Sequence, residues 1–258
     1  MSDTVLYEVR ERVAVLTLNR PDRANTLIPE LMGAMQARAR EAASDSNIRA
    51  LIITGAGRHF CGGADLRTAR DRTGVSPPGP GLGFDWVPKP VIAAINGAAM
   101  GGGCEIALSC DFRLISDKAN IGLTEIRFGA LPAGGGTARA PRIVGLSNAK
   151  RLIMIGEPVS PQEALSMGLV DEVLPHDKLM ERAFELAGVL ATRAPFAMRT
   201  AKQLLNKSLE VDLATALEFE RTLIGKMATA EERAQARDEA AERSATYANI
   251  FSKREGGD

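Results

Sequence analysis

Glycine-rich turns follow the apolar segments of this chain, and they constrain the fold more than any other feature. Three strand patterns run into such turns: RALIITGAG into RHFCGGADL (49–66), PVIAAI into NGAAMGGGCEIALSC (90–110), and FRLIS into the glycines that follow it (112–145). Short apolar runs bounded by glycine predict buried strands. The N-terminal half is therefore predicted to repeat a strand, a turn and a helix.

The remaining patterns predict an α/β chain with a helical last third. Residues 13–19, VAVLTLN, carry apolar side chains on both sides, which is typical of a strand buried on both faces. Helical spacing follows over 27–43, and a further strand pattern covers 169–175. Helical patterns in the later part cover 146–155, 161–167, 176–192, 195–208, 211–228 and 231–250.

Composition and charge exclude several function classes. The 258 residues are 45% hydrophobic, and Lys+Arg and Asp+Glu number 32 each. No overall electrostatic field therefore favours nucleic acid or an anionic membrane surface. No apolar run reaches the roughly 18 to 20 residues that span a bilayer. Three cysteines without CxxC spacing, and a start without a signal-like pattern, predict a cytoplasmic protein.

The sequence lacks the motifs of several common catalytic sites. It has only His59 and His176 and no HExxH or CxxC, which predicts that no metal is bound. GxSxG, GxxxxGK(S/T) and a strict GxGxxG are also absent. What remains is carboxylates and backbone amides at glycine turns. Two amides converging on one point form an oxyanion hole, where one donor lowers the barrier by about 3 to 4 kcal/mol.

Several residues have a structural explanation beside a functional one. Glu105 can be an acid in the first turn of a helix, and Glu125 can be a solvent-exposed side chain between a strand and a turn. His59 can line a site or have a structural role. The Gly- and Pro-rich segment 74–90 is either a linker or a mobile wall of a binding pocket that includes Trp86, and its position favours the wall.

The order of these motifs resembles the crotonase family, the enoyl-CoA hydratases and isomerases. The resemblance spans roughly residues 5–208 and rests on NRPDRANTL, ITGAGRHFCGGADL, KPVIAAINGAAMGGGCEIALSCDFRL, GLTEIRFGALPAGGGTARAPRIVG and GEPVSPQEALSMGLVDEVLP. It implies a crotonase-like spiral of repeated ββα units over 1–195, and a C-terminal helical region for packing and trimerisation over 196–258. It also implies a coenzyme A thioester as substrate, and a homotrimer or a hexamer built as a dimer of trimers.

The resemblance implies catalytic roles for four residues. The amides of Ala64 in CGGADL and Gly102 in MGGGCE would bind the thioester oxygen and stabilise an enolate. Glu105 would help to activate the water that adds at C3, and Glu125 would deliver a proton to C2. Relatives that only isomerise double bonds commonly keep just the carboxylate at the Glu125 position, so two carboxylates favour hydration or dehydration.

For the coenzyme A moiety, the resemblance suggests Arg23 and Arg67 as phosphate contacts, although both can equally be surface charges. Ala24 and Leu27 would lie near the pantetheine or the adenine, and Trp86 would line the pocket.

The C-terminal part departs from the family pattern. Relatives often contribute a cation from a neighbouring subunit, for which Lys253 and Arg254 are the candidates. The acidic-glycine element that usually precedes the last helix is not recognisable here. Segment 74–90 also lacks the helical stretch that many relatives have, so it leaves the acyl preference open.

Three functional hypotheses follow from the sequence. The first is a 2-enoyl-CoA hydratase with no metal or redox cofactor, in which coenzyme A is part of the substrate. The second is an isomerase or dehydratase of a specialised acyl-CoA. The third is a non-catalytic scaffold for a CoA thioester or RNA. Balanced charge argues against RNA, and the presence of both acids argues against a non-catalytic role.

Overall fold

The computed structural model of the chain describes residues 4–65 and 82–226. The predicted site residue Arg67, the C-terminal candidates Lys253 and Arg254, and the predicted helix 231–250 lie outside these ranges. The chain divides into two compact units, Met1–Ala191 and Thr192–Asp258. Within the described ranges, no helix is long and apolar enough to cross a membrane.

A six-stranded sheet forms the centre of the first unit. In spatial order its strands are β1 (Val5–Arg10), β2 (Val13–Leu18), β3 (Ala50–Gly55), β5 (Val91–Ile95), β7 (Phe112–Ser116) and β9 (Glu172–Leu174). β1 pairs with β2 in antiparallel fashion, and all the other pairs are parallel. Parallel strands need crossover connections, and helices and short strands supply them here.

The strands of a second, three-stranded sheet alternate along the chain with strands of the first sheet. Its strands are β4 (His59–Cys61), β6 (Ala98–Met100) and β8 (Ile121–Gly122), all parallel. Each follows a strand of the larger sheet, so β3–β4, β5–β6 and β7–β8 are successive repeats. The α-helices in the described part of this unit are α1 (Pro29–Ser44), α2 (Gly102–Leu108), α3 (Gly136–Lys150), α4 (Pro161–Ser166) and α5 (Leu179–Ala191). Mixed α/β architecture with repeated ββα units confirms the predicted fold class.

The larger sheet is buried on both faces, as the pattern of β2 predicts. Ala14, Leu16 and Leu18 pack into the larger core, together with one face of α1. On the opposite face, Val13 and Val15 belong to a second core beneath α5. α5 presents Leu179, Ala183 and Ala187 to that core, a spacing of four residues that keeps the three side chains on one side of the helix.

The second unit contains two described helices, α6 (Pro195–Ser208) and α7 (Leu213–Lys226), which contact each other. Both helices and the turn between them carry large apolar side chains that are more than half exposed: Leu205, Leu209, Leu213 and Ile224.

Two elements differ from the sequence-based expectations. β1 is an edge strand whose residues after Val5 are mostly exposed, so its sequence carries no continuous apolar pattern. α3 begins at Gly136, ten residues before the predicted helix 146–155, and Arg151–Ile155 continue it as a π-helical turn. Pro141 and a kink at Gly145, where φ is 74°, interrupt the apolar periodicity of this helix.

We expect Leu16→Ala to destabilise the first unit, because Leu16 is fully buried in the larger core. Truncation of a buried leucine costs about 2 to 5 kcal/mol in the free energy of unfolding. Leu6→Ala makes the same chemical change at a side chain that is 44% exposed, and should cost about 0.5 kcal/mol or less. Urea unfolding followed by circular dichroism compares the two, and equal losses would contradict the assigned core.

Candidate active site

The first glycine turn leaves the amide of Ala64 free to bind a ligand. Leu27 forms a parallel bridge with Ala64, in which the Leu27 amide donates to the Gly63 carbonyl at 2.8 Å. The Asp65 amide donates to the Leu27 carbonyl at 3.2 Å. Because successive amides of an extended segment point to opposite sides, the Ala64 N–H points away from Leu27. It donates to no other described residue.

The second turn brings the amide of Gly102 beside the first. Gly101 has φ of 51° and ψ of −117°, and α2 begins directly after it. The Gly102 N–H belongs to the first turn of a helix, where amides have no partner within the helix, and it donates to no other described residue. A Cβ on Gly63 would lie 2.7 Å from the Met100 carbonyl oxygen and 3.4 Å from the Gly102 nitrogen. The two turns are therefore in backbone contact.

Asn25 holds the first turn in place, a role that the sequence analysis missed. It is fully buried and has φ of 53°. Its Nδ2 lies within hydrogen-bond distance of the carbonyl oxygens of Ala56, directly after β3, and of His59 and Phe60 in β4, at 3.0, 2.7 and 3.2 Å. Its Oδ1 accepts from the Arg20 amide at 2.8 Å. The signal was present in NRPDRAN, because asparagine tolerates positive φ and offers both a donor and an acceptor.

Glu105, the fourth residue of α2, is only 3% exposed, and the third glycine turn binds its carboxylate. The Gly136 amide, at the start of α3, donates to Oε1 at 2.8 Å. Burial raises the pKa of Glu105, while the amides of Gly136 and Gly134 and the charge of Arg139 oppose this rise. Glu105 is thus a buried carboxylate whose ionised form is stabilised by a helix N-terminus.

Glu125 begins the 3-10 helix Glu125–Phe128 and has no comparable support. Its Oε2 is buried without a hydrogen-bond partner among the described residues. Burial, and secondly the negative charge of Glu105, raise its pKa to about 7. Gly101 lies against this side chain, because a Cβ on Gly101 would be 3.0 Å from Oε1 of Glu125. The glycines of the second turn therefore accommodate one carboxyl group and precede the other.

A cavity of about 960 Å³ opens beside Ala64 and carries several basic side chains. Arg23 and Ala24, both predicted to contact coenzyme A, line it. The sequence analysis did not assign Arg20 or Arg58, and left the role of His59 open; the cavity wall also includes these three residues. The β-strand connections bring residues 20–26 and 57–65 together here, which sequence spacing alone does not reveal.

The other two described contacts that were predicted, Leu27 and Trp86, are not part of this cavity wall. Leu27 is 7% exposed, and its Cδ1 would be 2.6 Å from a Cβ on Gly102. Trp86 is 37% exposed, and its Nε1 donates to the Gly83 carbonyl at 3.0 Å. Residues 82–90 contain no helix or strand, in line with their Gly and Pro content.

Comparison with known proteins bears directly on this arrangement. The family model for enoyl-CoA hydratase/isomerase matches residues 8–248. The chain belongs to the enoyl-CoA hydratase/isomerase family. This match confirms the resemblance to the crotonases that the glycine motifs and their order indicated. The matched range includes both glycine turns and both glutamates.

Relatives in this family cover most of the chain. A 2,3-dehydroadipyl-CoA hydratase of Escherichia coli is 39% identical over 238 residues, which are 90% of this chain and 93% of the relative. A short-chain-enoyl-CoA hydratase of Clostridium acetobutylicum is 37% identical over 242 residues, 91% and 93% of the two chains. The crystal structure of an enoyl-CoA hydratase from Bacillus anthracis matches with a TM-score of 0.80 at 36% identity, covering 86% of this chain and 90% of that one.

The partly buried Glu125 makes a testable contribution to stability. Its pKa of about 7 lies above the ordinary value of 4.5, so the folded state binds its proton more tightly than the unfolded state. The stability that this provides is present below pH 4.5 and is lost as the pH rises to about 7. We expect Glu125→Gln, which cannot ionise, to raise the melting temperature at pH 8 but not at pH 4.5.

Glu163→Gln supplies a control of opposite sign. The Ser160 amide and hydroxyl, followed by Arg151, lower the pKa of Glu163, so its ionised form stabilises the fold above pH 4.5. Its replacement should lower the melting temperature at pH 8. An unchanged or reduced melting temperature of Glu125→Gln at pH 8 would contradict a partly buried carboxyl group whose Oε2 has no partner among the described residues.

Proposed function

We propose that the protein hydrates 2-enoyl-CoA thioesters to 3-hydroxyacyl-CoA, without a metal or redox cofactor. The observation that carries this proposal is the presence of two interacting carboxyl groups, the buried Glu105 and the partly buried Glu125, near the Ala64 and Gly102 amides. Hydration requires a base for water and an acid for carbon, and one proton shared by two carboxyl groups supplies both. The relatives named as hydratases support the same reaction.

The two amides would act on the thioester carbonyl. When water adds at C3, negative charge develops on the thioester oxygen as the C2–C3 double bond becomes an enolate. Amide donors held by backbone contacts need no reorganisation to stabilise that charge. The contact of Gly63 with Gly102 supports this role, because it fixes the two donors relative to each other.

The two glutamates would divide the proton transfers according to their surroundings. Glu105 accepts hydrogen bonds and lies near Arg139, so it is the carboxylate that better carries charge and takes the proton of water. Glu125 has a buried oxygen without a partner in the described part of the chain and keeps its proton to higher pH, so it is the acid that delivers a proton to C2. Net addition places OH on C3 and H on C2.

Coenzyme A would bind in the basic cavity beside Ala64. Arg23 and Arg58 offer cations for its phosphates, and guanidinium groups suit phosphate geometry, whereas Arg20 of the same wall already pairs with Asp65 and donates to the Thr26 carbonyl. Arg67, and Lys253 or Arg254 from another subunit, remain candidates for the same purpose. We also propose a homotrimer or a dimer of trimers, which the exposed leucines of α6 and α7 support.

Both glutamates are open to a direct kinetic test. Proton transfer by a positioned carboxyl contributes about 10²- to 10⁴-fold, so Glu105→Gln and Glu125→Gln should each lower kcat by that order. Glu181→Gln, an exposed glutamate on α5, serves as the control and should retain full activity. Loss of enoyl thioester absorbance is followed over short, medium, branched and cyclic enoyl-CoAs.

Mass spectrometry of the product separates hydration from isomerisation. Hydration adds the mass of one water, whereas isomerisation adds none. Conversion without added water would favour the isomerase, and absence of turnover across the whole series would reject the proposed substrate class.

The rate of hydration should depend on the shared proton. A pair that carries one proton loses it as the pH rises through the upper pKa, which is about 7 for Glu125, and gains a second one at low pH. We expect kcat/KM to fall on both sides, with the alkaline limb near pH 7. Because both directions need the singly protonated pair, dehydration of the 3-hydroxyacyl-CoA should follow the same profile. A constant kcat/KM from pH 5 to 9 would contradict this mechanism.

A further inference from the structure

An ion pair joins the segment beside the site to the helix that supports Glu105. Asp85 belongs to the irregular segment 82–90, and Arg139 lies in the first turn of α3. Nε of Arg139 donates to Oδ1 of Asp85 at 2.9 Å, and Nη2 pairs with Oδ2. Two parallel bonds between a guanidinium and a carboxylate fix both distance and orientation.

The third nitrogen of the same guanidinium reaches the turn that binds Glu105. Nη1 of Arg139 donates to the Gly134 carbonyl at 3.0 Å. A Cβ on Gly135, which has φ of 113°, would overlap the guanidinium. Gly136, one residue further on, donates its amide to Glu105. Arg139 therefore packs directly against the backbone that orients this carboxylate.

The other end of the pair is also fixed. The Gly83 carbonyl accepts from Trp86 Nε1 at 3.0 Å and from Gln36 Nε2 of α1 at 3.4 Å. Leu82 is 8% exposed, and its Cδ1 would lie 2.9 Å from a Cβ on Gly134. Asp85 is thus held on a segment that contacts the same glycine turn a second time.

We propose that Arg139, anchored by Asp85, is a positioning residue that holds the turn Gly134–Gly136 and thereby keeps the Glu105 carboxylate oriented and ionised. The inference rests on the proposed function, because it assigns a partner to the carboxylate that would accept the proton of water. Arg139 itself need not touch the substrate. Its guanidinium acts through the Gly134 carbonyl and through its charge.

The charge of Arg139 supports the inference independently of its hydrogen bonds. It lowers the pKa of Glu105 against the effect of burial. Glu105 in turn raises the pKa of Glu125, so the charge of Arg139 acts on a carboxylate that interacts with the second carboxyl group. Among the described residues, the titratable and charged groups close to Glu105 include Cys104, Glu125 and Arg139; Arg139 pairs with Asp85, and the charge of Arg113 acts on Cys104.

Variants of the pair test the kinetic consequence. Misplacing a catalytic group by about 1 Å can cost on the order of 10²-fold in rate. We expect Arg139→Gln to lower kcat by that order while KM changes less than about threefold, with Arg139→Lys and Asp85→Asn showing smaller losses. The double variant should lose no more than Arg139→Gln, because both changes break one connection.

Arg142→Gln is the matched control. Arg142 lies on the same helix, is exposed, and donates to the Ala138 carbonyl of its own turn. It should leave kcat unchanged. Equal kcat for Arg139→Gln and Arg142→Gln would overturn the inference, and Arg139→Lys and Asp85→Asn provide the same comparison if Arg139→Gln fails to fold.

A titration of the free protein separates this inference from the proposed reaction. The carboxyl carbon of Glu105 is followed by ¹³C NMR against pH, with Glu105→Gln used for assignment. Removing the nearby cation in Arg139→Gln should raise the pKa of Glu105, whereas Arg142→Gln should not. An unchanged titration overturns the inference even where hydration is observed. A shifted titration without any hydration supports the inference and rejects the proposed function.

Discussion

The contact between the first and second glycine turns is the constraint on which the site depends. Gly63 lies so close to the Met100 carbonyl and the Gly102 amide that a Cβ cannot be accommodated without displacing backbone. This approach is possible because β4 and β6 pair in parallel immediately before the turns. The pairing of two very short strands thus sets the separation of the Ala64 and Gly102 amides. Side chains contribute only indirectly, through Asn25 and Leu27.

The carboxyl groups of Glu105 and Glu125 have different hydrogen-bond partners in this fold. Glu105 is bound by a helix N-terminus, while Glu125 keeps a buried oxygen without a hydrogen bond among the described residues. An unsatisfied buried oxygen opposes folding, and a core made only for stability would have neither acid. The asymmetry separates the affinities of the two groups for protons. Such a separation is what acid and base catalysis by a pair of identical side chains requires.

Sequence patterns predicted those features of the fold that depend on the local composition of a single element. The strands buried on both faces, and the glycine turns that expose amides, follow from local composition. β1 was not predicted because a strand at the edge of a sheet needs few apolar residues. The start of α3 was not predicted because Pro141 and Gly145 interrupt its apolar periodicity. Asn25 has a local signal in NRPDRAN, but the carbonyl groups that Asn25 and Arg139 bind are brought to them by the packing of separate turns, which no local pattern reveals.

The arrangement of the site also separates two kinds of substrate contact. The basic cavity is built from residues 20–26 and 57–65, which reach the site through Ala64. Segment 82–86 contacts Gly102 and Gly134 through Leu82, and α3 through Asp85. A change at Leu82 therefore reaches both the Gly102 amide and the turn that binds Glu105. Under the proposed function, substitutions in the cavity wall would act on coenzyme A binding, whereas substitutions in segment 82–86 would act on the groups proposed to carry the reaction.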